Sequence, residues 1–196
     1  MSLVVITGGI GAGKSTVMRY FEECGERCGD ADEFVHQLYC PGGMMTQRIA
    51  ARFGTEVLNG DGSLNRKAVA DRVFGNPVEL EWLNNEVHPL VRQRIEEEVA
   101  QAPERLYFAA VPLWFECQWE GCEKVPVVAV WCDAETQRQR LEKRGWTTEE
   151  INARLARQLS MDEKLRRADY GIVTACQWSE TRKQCQLLLQ RLKSGN

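Results

Sequence analysis

Residues 3–16 read LVVITGGIGAGKST. Leu3 to Thr7 is a short apolar run rich in β-branched residues, the pattern of a strand buried on both faces of a parallel sheet. Glycines follow at once. From Ser15 to Cys24 the apolar positions Val17, Met18 and Phe21 recur at helical spacing, and Gly25 stands where a helix stop belongs. Between strand and helix, Gly8-Gly9-Ile10-Gly11-Ala12-Gly13-Lys14-Ser15 satisfies G-x-x-x-x-G-K-[ST]. Each part has a chemical reason. Glycines let successive N–H groups close around phosphate oxygens, the helix beginning near Ser15 adds its positive end, and Lys14 bridges the β- and γ-phosphates. The Ser15 hydroxyl is expected to ligate Mg²⁺ and Thr16 to reach the α-phosphate. A merely flexible glycine turn would leave Lys14 as a cation at a helix N-terminus, which is unfavourable without an anion. The expected ligand is ATP with Mg²⁺, held by Gly8, Gly11, Ala12, Gly13, Lys14, Ser15 and Thr16.

Outward from this unit, Asp30-Ala31-Asp32 precedes a helical stretch from Glu33 to Tyr39, ended by Pro41-Gly42-Gly43. Met44 to Phe53, Asn65 to Phe74 and Pro77 to Gln101 read as further helices. Proline at position 89 removes a donor and pushes His88 out of helical geometry, so His88-Pro89 predicts a kink or a helix entry, and two helices within 83–101. Buried-strand runs return at Leu106 to Val111 and Val125 to Cys132, with a short last strand at Tyr170 to Val173. Helices are expected at Ala134 to Arg144, at Thr148 to Ser160 with Thr147 or Thr148 as cap, and from Ser179 to about Leu192. Strands alternating with helices argue for an α/β P-loop fold around a roughly five-stranded parallel sheet. The expected division is a nucleotide-binding core (1–32, 102–133, 161–196), a helical substrate-binding insertion (33–101) and a helical lid (134–160).

The 196 residues suit one well-buried unit, and 43% hydrophobic with 27% charged residues is ordinary globular composition. A net charge of −3 argues against a general nucleic-acid binder. Between Arg138 and Arg167, however, nine Lys/Arg face five Asp/Glu. A basic segment in an acidic chain suits a small polyanion. The longest apolar run, Val125 to Cys132, is far short of the roughly 20 residues of a membrane span, and no basic stretch precedes an apolar one at the N-terminus. The expectation is a cytoplasmic monomer or weak homo-oligomer with no membrane or nucleic-acid partner. The eight cysteines (Cys24, Cys28, Cys40, Cys117, Cys122, Cys132, Cys176, Cys185) include no C-x-x-C pair and are expected as free thiols.

A P-loop does not name a reaction, so a small-metabolite kinase and a nucleotide-dependent regulatory module both stay open. The guanine-reading N-K-x-D and the D-x-x-G of GTP switches are absent from the sequence. Arg140 and Arg144, four apart on one helix face, can converge on one anion, and a guanidinium suits phosphate oxygens; pairing with acids such as Glu142 is the plainer alternative. A second strand, with no apolar run to set its start, is expected to end at Asp32, which then lies on the edge where open α/β sheets bind ligands and is also a good cap for the helix from Glu33.

Thr7 to Thr16, Gly29-Asp30-Ala31-Asp32, Pro41-Gly42, Phe53-Gly54, Asp61-Gly62 leading to Arg66, Val73-Phe74, Leu83-Asn84 with His88-Pro89, Pro112-Leu113 with Glu116, Gln137 with Arg140 and Arg144, Gln158, and Ala168-Asp169 follow one another in order and spacing that resembles the dephospho-CoA kinase family over nearly the whole chain. The resemblance implies transfer of the ATP γ-phosphate to the ribose 3′-hydroxyl of dephospho-CoA. It implies Asp32 as the residue that accepts or orients the acceptor proton, with Lys14 and Arg140 also catalytic. It further implies substrate contacts from Arg66, His88, Arg92 and Glu116, and a water-bridged Mg²⁺ contact from Glu116. Thr174-Ala175-Cys176 stands where family members often carry an Asn.

Overall fold

The structure is a computed structural model that describes residues 2–119 and 125–194. Five strands, β1 (Leu3–Thr7), β2 (Arg27–Asp30), β3 (Tyr107–Ala110), β4 (Val127–Trp131) and β5 (Tyr170–Val173), form one sheet in the order β2-β3-β1-β4-β5. Every pairing is parallel, with Leu3 opposite Tyr107 and Val5 opposite Val127. The three inner strands read YFAA, LVVIT and VVAVW and are buried almost throughout, because parallel strands are covered on both faces. The edge strand β2 reads RCGD and is half-buried to exposed. It carries no apolar run, which is why periodicity sets no bounds for it.

Contacts divide the chain into two units, Met1–Asp30 with Gln101–Asn196, and Ala31–Ala100. The first holds the sheet together with α1 (Lys14–Glu23), α6 (Ala134–Glu142), α7 (Thr148–Leu155), α8 (Met161–Arg167) and α9 (Trp178–Ser194). Its core packs Val17 and Phe21 of α1 and Leu188 and Leu189 of α9 with the sheet; Phe21 stacks on Phe108 at 4.0 Å between ring centres. The boundary residues of α7 are set by a capping box, Thr147 accepting from the Glu150 amide while the Glu150 carboxylate accepts from the Thr147 amide. Residues 156–160, expected as the end of that helix, leave it, and Ser160 caps the separate α8 by accepting from the Glu163 N–H.

The second unit contains α2 (Ala31–Leu38), α3 (Met44–Phe53), a single 3₁₀ turn at Thr55–Val57, α4 (Arg66–Val73) and α5 (Pro77–Ala100). Two expectations are corrected here. The break at Pro89 does not occur: α5 runs through it as one 24-residue helix. Val87, Val91 and Ile95 recur every fourth residue and are all buried, so one continuous packed face outweighs the hydrogen bond that proline removes. Asp32 is not an N-cap either, since α2 already begins at Ala31 and Asp32 lies in its first turn, where a carboxylate meets the positive helix end. Among the described residues, no helix is long and apolar enough to cross a membrane. The seven described cysteines are free thiols, and Cys122 lies outside the described residues.

Candidate active site

The loop between β1 and α1 is built by close approach. Gly8, at φ 149°, lies so near β4 that an added Cβ would stand 2.6 Å from the Val130 carbonyl oxygen. Gly11 and Gly13 have φ of 74° and 97°, the left-handed region glycine enters without strain. Gly13 is the N-cap of α1 and offers no side-chain cap bond, so the positive end of that helix is left for an external anion. Lys14 folds back over the loop, its Nζ donating to the carbonyls of Gly8 at 2.6 Å and Gly9 at 3.0 Å. Ser15 is exposed in the first turn of α1.

Arg140 is drawn against this loop. Its guanidinium donates to the carbonyls of Gly11 at 3.2 Å and Ala12 at 3.4 Å, to Thr174 Oγ1 at 2.9 Å and to the Thr174 carbonyl at 2.6 Å. Arg140, Lys143 and Arg144 line a cavity of about 430 Å³ with Gly11, Gly13, Thr16, Thr174 and Trp178. The fold therefore brings together the phosphate loop, Thr16, Arg140 and Arg144.

Glu116 is placed differently. Its carboxylate accepts from the Leu159 amide at 2.8 Å and from Lys164 Nζ at 2.7 and 3.0 Å. Lys164 is 0% exposed and donates also to the Pro112 carbonyl at 2.6 Å. Burial pushes the Lys164 ammonium below its ordinary pKa, and the Glu116 carboxylate pulls it back up. In this structure Glu116 thus neutralises a buried cation and ties down the segment that leads into α8.

In the helical unit, Asp32 is exposed in the first turn of α2. Arg66 opens α4 behind the cap Asn65, and its charge lowers the Tyr39 phenol against the larger upward push of burial. His88 and Arg92 lie four residues apart on α5 and so share a face. Burial lowers the His88 pKa, and Arg92 pairs with Glu96 at 3.4 Å.

Sequence reasoning assigned no role to Lys164, Gln137, Gln158 or Thr174, although all four bond to loop or main-chain groups of the first unit. A lysine on a short helix reads as solvated, and nothing local distinguishes it. The Ser160-x-x-Glu163 spacing was the available signal for α8.

A family model described as dephospho-CoA kinase matches residues 2–180. A dephospho-CoA kinase from Symbiobacterium thermophilum is 41% identical over 188 residues, 94% of this chain and 78% of that protein. One from Dehalococcoides mccartyi is 39% identical over 195 residues, 96% of each. Among solved structures, a dephospho-CoA kinase from Campylobacter jejuni superposes with a TM-score of 0.70 at 25% identity, covering 100% of this chain and 98% of that one.

Proposed function

The chain belongs to the dephospho-CoA kinase family, and from that premise we infer that it transfers the γ-phosphoryl group of ATP to the ribose 3′-hydroxyl of dephospho-CoA, yielding CoA and ADP. The observation that carries this reading is the loop from Gly8 to Ser15, with Lys14 across its carbonyls and an uncapped helix end behind it. Lys14 moves from the Gly8 and Gly9 carbonyls to the β- and γ-phosphate oxygens, and its charge follows the migrating phosphoryl group. Arg140 and Arg144 supply positive charge to the triphosphate from the cavity they line with Thr16. The exposed Ser15 hydroxyl is a hard oxygen donor suited to Mg²⁺, which when bound neutralises phosphate charge.

On the acceptor side, the 3′-hydroxyl oxygen forms the new bond to the γ-phosphorus as the bond to the β-phosphate oxygen breaks, and ADP departs with that electron pair. Asp32 orients the hydroxyl and takes its proton late in the transfer. Arg66, His88 and Arg92 bind the CoA portion, and residues 134–160 act as the cover that excludes water. Glu116, which pairs with the buried Lys164, also faces the substrate and would meet Mg²⁺ through water.

The deciding experiment measures ADP release with Mg-ATP against dephospho-CoA, AMP, adenosine, pantetheine, shikimate and gluconate. CoA should form, and ADP release should rise only with dephospho-CoA. Acceptor-independent hydrolysis without a phosphorylated product would overturn the reading in favour of a regulatory module.

A further inference from the structure

The phosphate loop is rich in glycine, and a peptide flanked by glycine can rotate at little cost. Glycine permits the loop's conformation but does not select it. Each peptide is planar and trans, so its C=O and N–H point in opposite directions, and fixing one fixes the other.

The carbonyls are held from outside the loop. Gln137 of α6, 7% exposed, donates from Nε2 to the Ile10 carbonyl at 2.7 Å. That carbonyl shares its peptide with the Gly11 N–H, which is therefore turned away from Gln137. Thr174, 6% exposed at the end of β5, donates from Oγ1 to the Ala12 carbonyl at 2.6 Å and accepts from Arg140 at 2.9 Å. That carbonyl shares its peptide with the Gly13 N–H. The Gly9–Ile10 peptide, which precedes both, is held with the opposite sense. Its carbonyl accepts from Lys14 Nζ at 3.0 Å, and its N–H donates to Gln158 Oε1 at 3.1 Å. The sense thus reverses once, between the Gly9–Ile10 and Ile10–Gly11 peptides, and the Ile10, Gly11 and Ala12 carbonyls are then met from outside the loop by Gln137, Arg140 and Thr174.

We propose that Gln137 and Thr174 are positioning residues for phosphoryl transfer: Gln137 aims the Gly11 N–H, and Thr174, braced by Arg140, aims the Gly13 N–H, at the phosphate oxygens of ATP. The proposal rests on the reading of Gly8 to Ser15 as an ATP cradle. Its consequence is specific, because the two anchors act on different peptides. The donors are oriented before nucleotide arrives, so no reorganisation is needed as charge develops on the phosphates. The Thr174 hydroxyl is committed to the loop, donating to Ala12 and accepting from Arg140.

The test uses the full chain labelled with ¹⁵N-glycine, as wild type, Gln137→Met and Thr174→Val. Both substitutions roughly keep side-chain volume and remove the donor. In wild type, Mg-ADP should shift both the Gly11 and Gly13 amide resonances. Gln137→Met should diminish the Gly11 shift and spare Gly13, and Thr174→Val should do the reverse. Each should lower kcat about tenfold to a hundredfold, a share of what loss of a whole transition-state donor costs. Gln137→Glu, which sets an acceptor against the Ile10 carbonyl, should be worse than Gln137→Met at equal or better melting temperature, a split that mere packing would not produce. Both glycines changing together in step with melting temperature, or unchanged kcat in both variants, overturns the proposal while the functional reading stands. A wild type that makes no CoA and shows no glycine response to Mg-ADP overturns both.

Discussion

In the sheet-bearing unit, Lys14, Gln137, Gln158, Arg140 and Lys164 all bond to main-chain groups far from them in sequence or across a loop. In the helical unit, Arg48, Arg52 and Arg72 pair instead with Glu86, Glu79 and Glu56 at the surface. The difference follows from backbone accounting. A helix satisfies its own amides and carbonyls, so its side chains are free to pair with one another, whereas a glycine loop satisfies few and needs side chains to hold it. Side-chain to backbone bonds commit a loop to one conformation, and surface ion pairs add little. The unit proposed to bind ATP is therefore built in advance, residue by residue. In the helical unit, the polar groups proposed for the acceptor stand on regular helices.

The sharpest way to break this comparison sets Asp32→Asn beside Lys14→Ala. Asp32→Asn should lower kcat by about 10²- to 10⁴-fold with the KM for ATP nearly unchanged, as expected for loss of a general base. Lys14→Ala should lower kcat/KM about a hundredfold or more and also weaken ATP binding, because it touches phosphate in ground and transition states alike. Steady-state kinetics with ATP and dephospho-CoA varied separately distinguishes them. If Asp32→Asn keeps full kcat, the catalytic assignment must move.

Next in size is Glu116→Ala, which leaves the Lys164 ammonium buried with the Pro112 carbonyl but no counter-charge. Breaking a buried pair from one side costs about 3–5 kcal/mol, which urea unfolding at neutral pH would read. A change under about 1 kcal/mol would mean that the pair is not the anchor described above.

A smaller effect is expected at alkaline pH. Burial, reinforced by Glu22 and Glu26, pushes the Cys28 thiol up to about 12, and burial pushes Cys185 up to about 12, from an ordinary 9.0. The folded chain holds these protons after the unfolded chain has lost them. Their stabilising contribution is complete below about pH 9 and is lost as pH rises from there to about 12. Lys164 acts in the opposite sense because its pKa is lowered, so the useful comparison is between proteins at matched pH. The melting temperature of wild type should fall more steeply above pH 9 than that of a Cys28→Ala/Cys185→Ala double variant. Parallel pH curves would contradict the burial argument. The smallest effect belongs to Arg48→Ala, whose pair with Glu86 leaves Arg48 52% exposed. It should cost at most about 1 kcal/mol in the same urea experiment, and a larger loss would erase the distinction between the units.

How much of this was legible in advance depended on whether the signal was local. Met44–Phe53 and Tyr170–Val173 have the bounds that their patterns predict, since periodicity and turn residues act within a few positions. β2, expected to end at Asp32, had no apolar run to set its bounds and ends at Asp30; α8, beyond the helix expected to end at Ser160, was not read; and the interruption expected at Pro89 was outweighed by packing along α5.

The sequence by itself determined the strand, glycine loop and helix from Leu3 to Glu23, the parallel α/β class, and, through ordered motifs along the chain, the family. Tertiary structure alone decided which polar side chain meets which backbone group. Gln137 reaches Ile10 across 127 positions, Gln158 reaches the same residue across 148, and Thr174 reaches Ala12 across 162. Hydrophobic spacing and backbone conformation are encoded over a turn or a strand. The partner of a glutamine or a buried lysine is encoded only in where the sheet brings distant segments together.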